Sequence, residues 1–189
     1  MISRRSFLAG SAAGGLIALP GGAAQAEAVL TDDGLYTEPW FLESFLELGD
    51  DLSSTTDKGK RFAIMWELRG CPYCKETHLV NFAKPEISSY IQKHFEILQL
   101  NIVGSREVVD FDGQKLPEKQ FAQKYGVRAT PTFQFFPDST AGLKDKSPRG
   151  REVSRFQGYL QPPLFLAAFR FVAERAYERG NLQDYLRSN

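Results

Sequence analysis

Along the chain, short apolar runs alternate with amphipathic stretches, and each pattern has its own period. Phe62-Ala63-Ile64-Met65-Trp66 is a continuous apolar run of strand length, set off by the Asp57-Lys58-Gly59-Lys60 break on one side and Gly70 on the other. From Lys75 to Ala83 the apolar residues recur at helical spacing, and Pro85 opens a further helix through Ile87, Tyr90 and Ile91. Phe95 to Ile102 alternates as a strand with one polar face. Val108-Val109-Asp110-Phe111-Asp112-Gly113 reads as a small hairpin turning at Asp112-Gly113. Pro117 starts a short helix through Phe121 and Tyr125 that Gly126 closes. Thr132 to Phe136 is an aromatic strand, Pro137 to Gly150 a polar turn region, Glu152 to Tyr159 a last strand, and Leu164 to Tyr177 an amphipathic closing helix.

Ahead of these elements, Glu27 to Leu35 reads as a polar lead-in. A helix is expected from Thr37, with the threonine as N-cap and Pro39 in the first turn, carrying Trp40, Phe41, Leu42, Phe45, Leu46 and Leu48. The order β-α-β-α-β-β-α predicts an α/β fold, a mixed central sheet with helices on both faces, preceded by an N-terminal helical extension and interrupted by a small hairpin insertion.

Composition narrows the function classes. A chain of 189 residues with 42% hydrophobic content can bury one full-sized core, and its 15 phenylalanines are best read as core packing. The 23 basic and 23 acidic residues balance, which leaves no electrostatic footprint for nucleic acid. Residues 1–26 stand apart. Ser3-Arg4-Arg5-Ser6-Phe7-Leu8 is a charged start, an Ala/Gly/Leu stretch follows, and Ala24-Gln25-Ala26 supplies a small-x-small cleavage pattern. The order Ser-Arg-Arg-x-Phe-Leu resembles a twin-arginine export signal, so a mature domain over 27–189 in an oxidising periplasm is expected.

Candidate chemistry lies in Cys71-Pro72-Tyr73-Cys74, the only two cysteines of the chain, placed where the apolar strand turns into a helix. Pro72 suits a first helical turn, where its missing N–H lacks a partner anyway. Cys71 then faces the positive end of the helix dipole, where a thiolate is stabilised. Lowering a thiol pKa from about 8.5 to about 7 raises the thiolate fraction at neutral pH from roughly 3% to roughly 50%, enough to make a nucleophile. Two other readings stand beside this one. A structural staple this short would contribute only about 2 kcal/mol, against roughly 4–5 for a ring of about 100 residues. A zinc site would need four ligands, and His78 and His94 are the only histidines on offer.

Four features in sequence resemble a thioredoxin-fold protein: the strand ending at Trp66, the cysteine pair opening a helix, Ala129-Thr130-Pro131-Thr132 entering a strand, and Gly158 before a terminal helix. The export signal and the segment Arg69 to His78 are similar, more narrowly, to exported thioredoxins of the SoxW type, associated with sulfur oxidation. The resemblance implies a thiol–disulfide oxidoreductase without a cofactor or metal, with Cys71 and Cys74 catalytic and Pro72 and Tyr73 tuning them. It implies that Pro131 is cis against the pair, and that Thr130 and Pro131 bind an extended partner segment. The expected partners are disulfide-containing periplasmic clients and a membrane thiol transporter as reductant, with the protein a monomer. A disulfide oxidase or isomerase, and a metal-binding or adaptor module, are the alternatives.

The chain departs from that pattern in two places. Met65 stands where many thioredoxins carry a buried acid, and Gly70 where many carry Trp. Glu67 is the nearest substitute acid and is expected on the opposite face of the strand. His78, four residues after Cys74, is expected to pack or lie at the surface, with tuning of the pair as the other reading. Lys75 is expected to be solvated.

Overall fold

The computed structural model describes residues 28–188 of the chain. The predicted export leader lies outside the described residues. The chain opens with β1 (Val29–Leu30) and β2 (Tyr36–Thr37), a small antiparallel hairpin turning at Gly34. An irregular segment leads to α1 (Leu48–Asp57) and β3 (Arg61–Glu67). Then follow α2 (Pro72–Glu76), continued without a break by a π-helical turn over Thr77–Phe82, and α3 (Pro85–His94), β4 (Phe95–Asn101), β5 (Glu107–Val109) and β6 (Lys115–Pro117). The chain continues through α4 (Glu118–Lys124), β7 (Thr132–Phe135), β8 (Ser154–Gln157), α5 (Pro162–Ala173) and α6 (Leu182–Arg187).

The central sheet has the order β4-β3-β7-β8. β3 runs parallel to β4 with Met65 opposite Gln99, and antiparallel to β7 with Met65 opposite Phe133. β7 and β8 are antiparallel, with Phe133 opposite Phe156. Every residue of β3 is buried, as a strand covered on both faces requires. Alternation splits its side chains between two cores. Ala63 and Met65 join Phe82, Ile87, Ile91, Phe133, Phe165 and Phe169 under the π-helical turn, α3 and α5. Phe62, Ile64 and Trp66 join Leu48, Leu52, Phe121 and Phe136 under α1 and α4. This is the thioredoxin fold, and the aromatic residues are packing, with edge-to-face rings such as Phe95–Phe169 at 4.9 Å.

The hairpin expected at Asp112-Gly113 is β5–β6. The helix expected from Thr37 is not there; a helix precedes the central strand, but it is α1, beginning at Leu48. Tertiary contacts override the local propensity. Tyr36 and Thr37 pair with β1, and Phe41 and Trp40 pack edge-on against Phe82. The Leu42 N–H donates to Ile97 O at 2.9 Å, covering the open edge of β4, and Leu46 turns into the left-handed region at φ 65°, which no helix passes through. Residues 29–30 of the expected polar lead-in form a strand, and α6 follows the closing helix unannounced.

Candidate functional site

β3 ends at Glu67, and the chain turns through Leu68, Arg69 and Gly70 into α2. Gly70 takes φ 75°, a conformation that favours glycine, so the residue before the first cysteine is set by the turn. Cys71 caps the helix with Pro72 at its first position. The Cys74 N–H donates to Cys71 Sγ at 3.2 Å, and the Cys71 thiol donates to the carbonyl of Thr130 at 3.5 Å. The helix start therefore supplies a donor to one sulfur, and the loop before β7 supplies an acceptor. Thr130-Pro131 is a cis peptide, as the resemblance implies, and Gly158 N–H holds Pro131 O at 2.8 Å.

The two sulfurs have different surroundings. Cys71 is half-buried, whereas Cys74 is 3% exposed. Burial pushes the Cys74 thiol well above its usual range, and the hydrogen bond to Cys71 and the negative charge of Glu67 push the same way. Tyr73 is exposed and stacks over Tyr159, with ring centroids 6.3 Å apart. Cys71, Pro72 and Cys74 line a cavity of about 350 Å³, walled by Leu30, Leu35 and Tyr36 of the N-terminal hairpin on the other side.

Glu67 corrects an expectation. It lies two residues after Met65, so the period of a strand puts both on the same face, not on opposite ones. It is fully buried and lines the cavity beside Cys74. One carboxylate oxygen meets His78 Nε2 at 2.9 Å; the other accepts from the Gln99 amide on the neighbouring strand. His78 Nδ1 meets Glu38 at 2.8 Å. His78 is thus neither a surface residue nor simple packing, since a buried imidazole bridges two buried carboxylates. Burial opposes its charge, yet Glu38 and Glu67 override that cost and raise its pKa. Lys75 is exposed on the cavity rim, as expected.

Of the residues expected from sequence, the fold brings Cys71 to the carbonyl of Thr130, next to the cis Thr130-Pro131 bond. Glu38 was missed. The signal for Glu67 was its two-residue offset from Met65, and for His78 its four-residue offset from Cys74.

Comparison with known proteins agrees with this architecture. Residues 48–173 match the model of the thioredoxin-like domain, and the chain belongs to that family. A thioredoxin-fold protein from Helicobacter pylori superposes with a TM-score of 0.54 at 20% identity, covering 74% of this chain and 96% of its own. A thioredoxin from Thermus thermophilus aligns at 24% identity with a TM-score of 0.46, covering 64% of this chain and 79% of its own. No curated protein matches the chain. Thioredoxin-fold proteins are in general thiol–disulfide oxidoreductases, and a close pair of free cysteines at a helix start is the group that chemistry uses.

Proposed function

We propose that the protein reduces disulfides of exported proteins through Cys71 and Cys74. The observation that carries this reading is the unequal burial of the two sulfurs: one is reachable, the other is not. Cys71 as thiolate attacks a client disulfide, forming an S–S bond to one client sulfur and releasing the other as a thiolate that takes up a proton. Cys74 then loses its proton and attacks Cys71. The Cys71–Cys74 bond forms, the mixed disulfide breaks, and the second client sulfur leaves with the remaining electron pair and is protonated. The client gains two electrons and two protons, and the protein is left oxidised.

An extended client segment would lie along Thr130 and Pro131 beside Cys71, with the exposed Tyr73 and the half-buried Tyr159 at the rim. Glu67, in the cavity next to Cys74, is placed to take the proton that Cys74 gives up. The twin-arginine-like leader supports a periplasmic site of action, where a membrane thiol transporter would return the electrons; the SoxW-like segment supports clients of sulfur oxidation. A reduction potential near about −270 mV fits this direction, and one near about −120 mV would make the protein an oxidant instead.

Trapping tests the reading. Cys74→Ser should accumulate mixed disulfides with clients, visible as reducible adducts, and Cys71→Ser should form none. Equal trapping by both variants would reject Cys71 as the attacking sulfur.

A further inference from the structure

Glu38 lies in the irregular segment after β2, ahead of the residues that match the family domain. It is nonetheless only 4% exposed, and its carboxylate is bonded to a ring on the helix that carries the cysteines. The path from there is continuous: Glu38 bonds His78, His78 bonds Glu67, and Glu67 shares a cavity with Cys74. We propose that Glu38 is a positioning residue of the redox site, which through His78 and Glu67 sets how readily Cys74 gives up its proton. The inference rests on the thiol–disulfide reading above.

Proton counting gives the reason. Each of the two N···O contacts needs one proton between its atoms, so the three groups together hold two protons and a net charge of minus one. A proton arriving from Cys74 brings the cluster to neutrality. With the Glu38 carboxylate replaced by an amide, a protonated ring would keep only Glu67 to offset its charge, which a low-dielectric site disfavours. Glu38 therefore favours a proton on the His78 ring that bonds Glu67. The packed surroundings contribute little competing charge. The rings of Tyr36, Phe41 and Phe82 enclose the imidazole, and Tyr36 alone among them can titrate. Gln99 from β4 bonds Glu67, and the cavity it lines also holds the cap Cys71 and, from α2, Cys74 and Lys75, with Lys75 exposed.

The test uses the full chain, reduced, with the aromatic disulfide dithiobis(nitrobenzoate) as probe. Attack by Cys71 releases one thionitrobenzoate and leaves a mixed disulfide on Cys71; attack by Cys74 releases the second and closes the Cys71–Cys74 bond. In Glu38→Gln the first release should match the native protein. The second should be about tenfold slower at neutral pH, a fraction of the ~10²–10⁴ that a general base contributes, and the gap should close at alkaline pH, where the medium takes the proton. A second release identical to native at every pH, or slowed equally at every pH, overturns the proposal, because a merely structural residue would show no such convergence. Absence of the first release from the native protein would instead reject the thiol–disulfide reading itself. A further measurement needs no variant. In native protein the His78 ring, followed by NMR, should titrate differently in the reduced and disulfide forms; identical titration overturns the proposal.

Discussion

His78 Nε2 stands 2.9 Å from Glu67 Oε1, and this contact ties the helix bearing the cysteines to the end of the strand that leads into them. Both partners are shielded from solvent, so the contact is not weakened by water or salt as a surface pair would be. The positions of the ionisable groups next to Cys74 are therefore fixed by the fold.

Glu67→Gln removes a negative charge that pushes the Cys74 thiol upward. The thiol of the variant should titrate at lower pH than in the native protein, read from the ultraviolet absorbance of the thiolate. A value unchanged or higher would show that Glu67 does not act on Cys74.

The His78 pKa is raised by folding, so its contribution to stability is complete below its unfolded value of about 6.5 and is lost as pH rises through the folded value. Unfolding free energy should accordingly fall as pH rises above about 6.5, through the raised folded value. His94, whose pKa is lowered by burial and Lys93, acts in the window below 6.5 and leaves this one to His78. Urea unfolding across that range checks the slope; a flat profile contradicts the assignment.

Arg151 is buried between Asp110 at 2.7 Å, the Tyr125 hydroxyl at 3.1 Å and the carbonyl of Leu143 at 2.9 Å. Arg151→Met should be destabilising, by less than the about 3–5 kcal/mol of a buried charge left wholly unpaired, because Asp110 keeps Lys124 at 2.5 Å and the Tyr125 hydroxyl. Adding Asp110→Asn should restore part of the loss. Denaturant unfolding of the single and double variants measures both; equal stability of Arg151→Met and native protein would count against this ion pair as a structural tie.

Much of the fold was readable from residue patterns because the central strands are unambiguous. Phe62 to Trp66 is apolar without interruption, Thr132 to Phe136 is aromatic, and prolines open α2, α3 and α5. The N-terminal segment was misread because its apolar spacing fits a helix, while its actual form depends on Phe82 and on the edge of β4, both distant in sequence. The same distance hid Glu38, whose partner His78 lies forty residues away. Nothing local marks a carboxylate that a remote imidazole will bury. The 137–150 region hid a similar case: Arg151, one residue past an apparent turn, anchors it from inside.

The hairpin at the start of the described chain has a practical consequence for anyone preparing the protein. A fragment cut at Leu48, where the recognised domain begins, would keep both sulfurs and all four central strands. It would forfeit the Leu30–Tyr36 wall and one end of the imidazole bridge. Such a minimal piece would carry the same cysteines in altered surroundings.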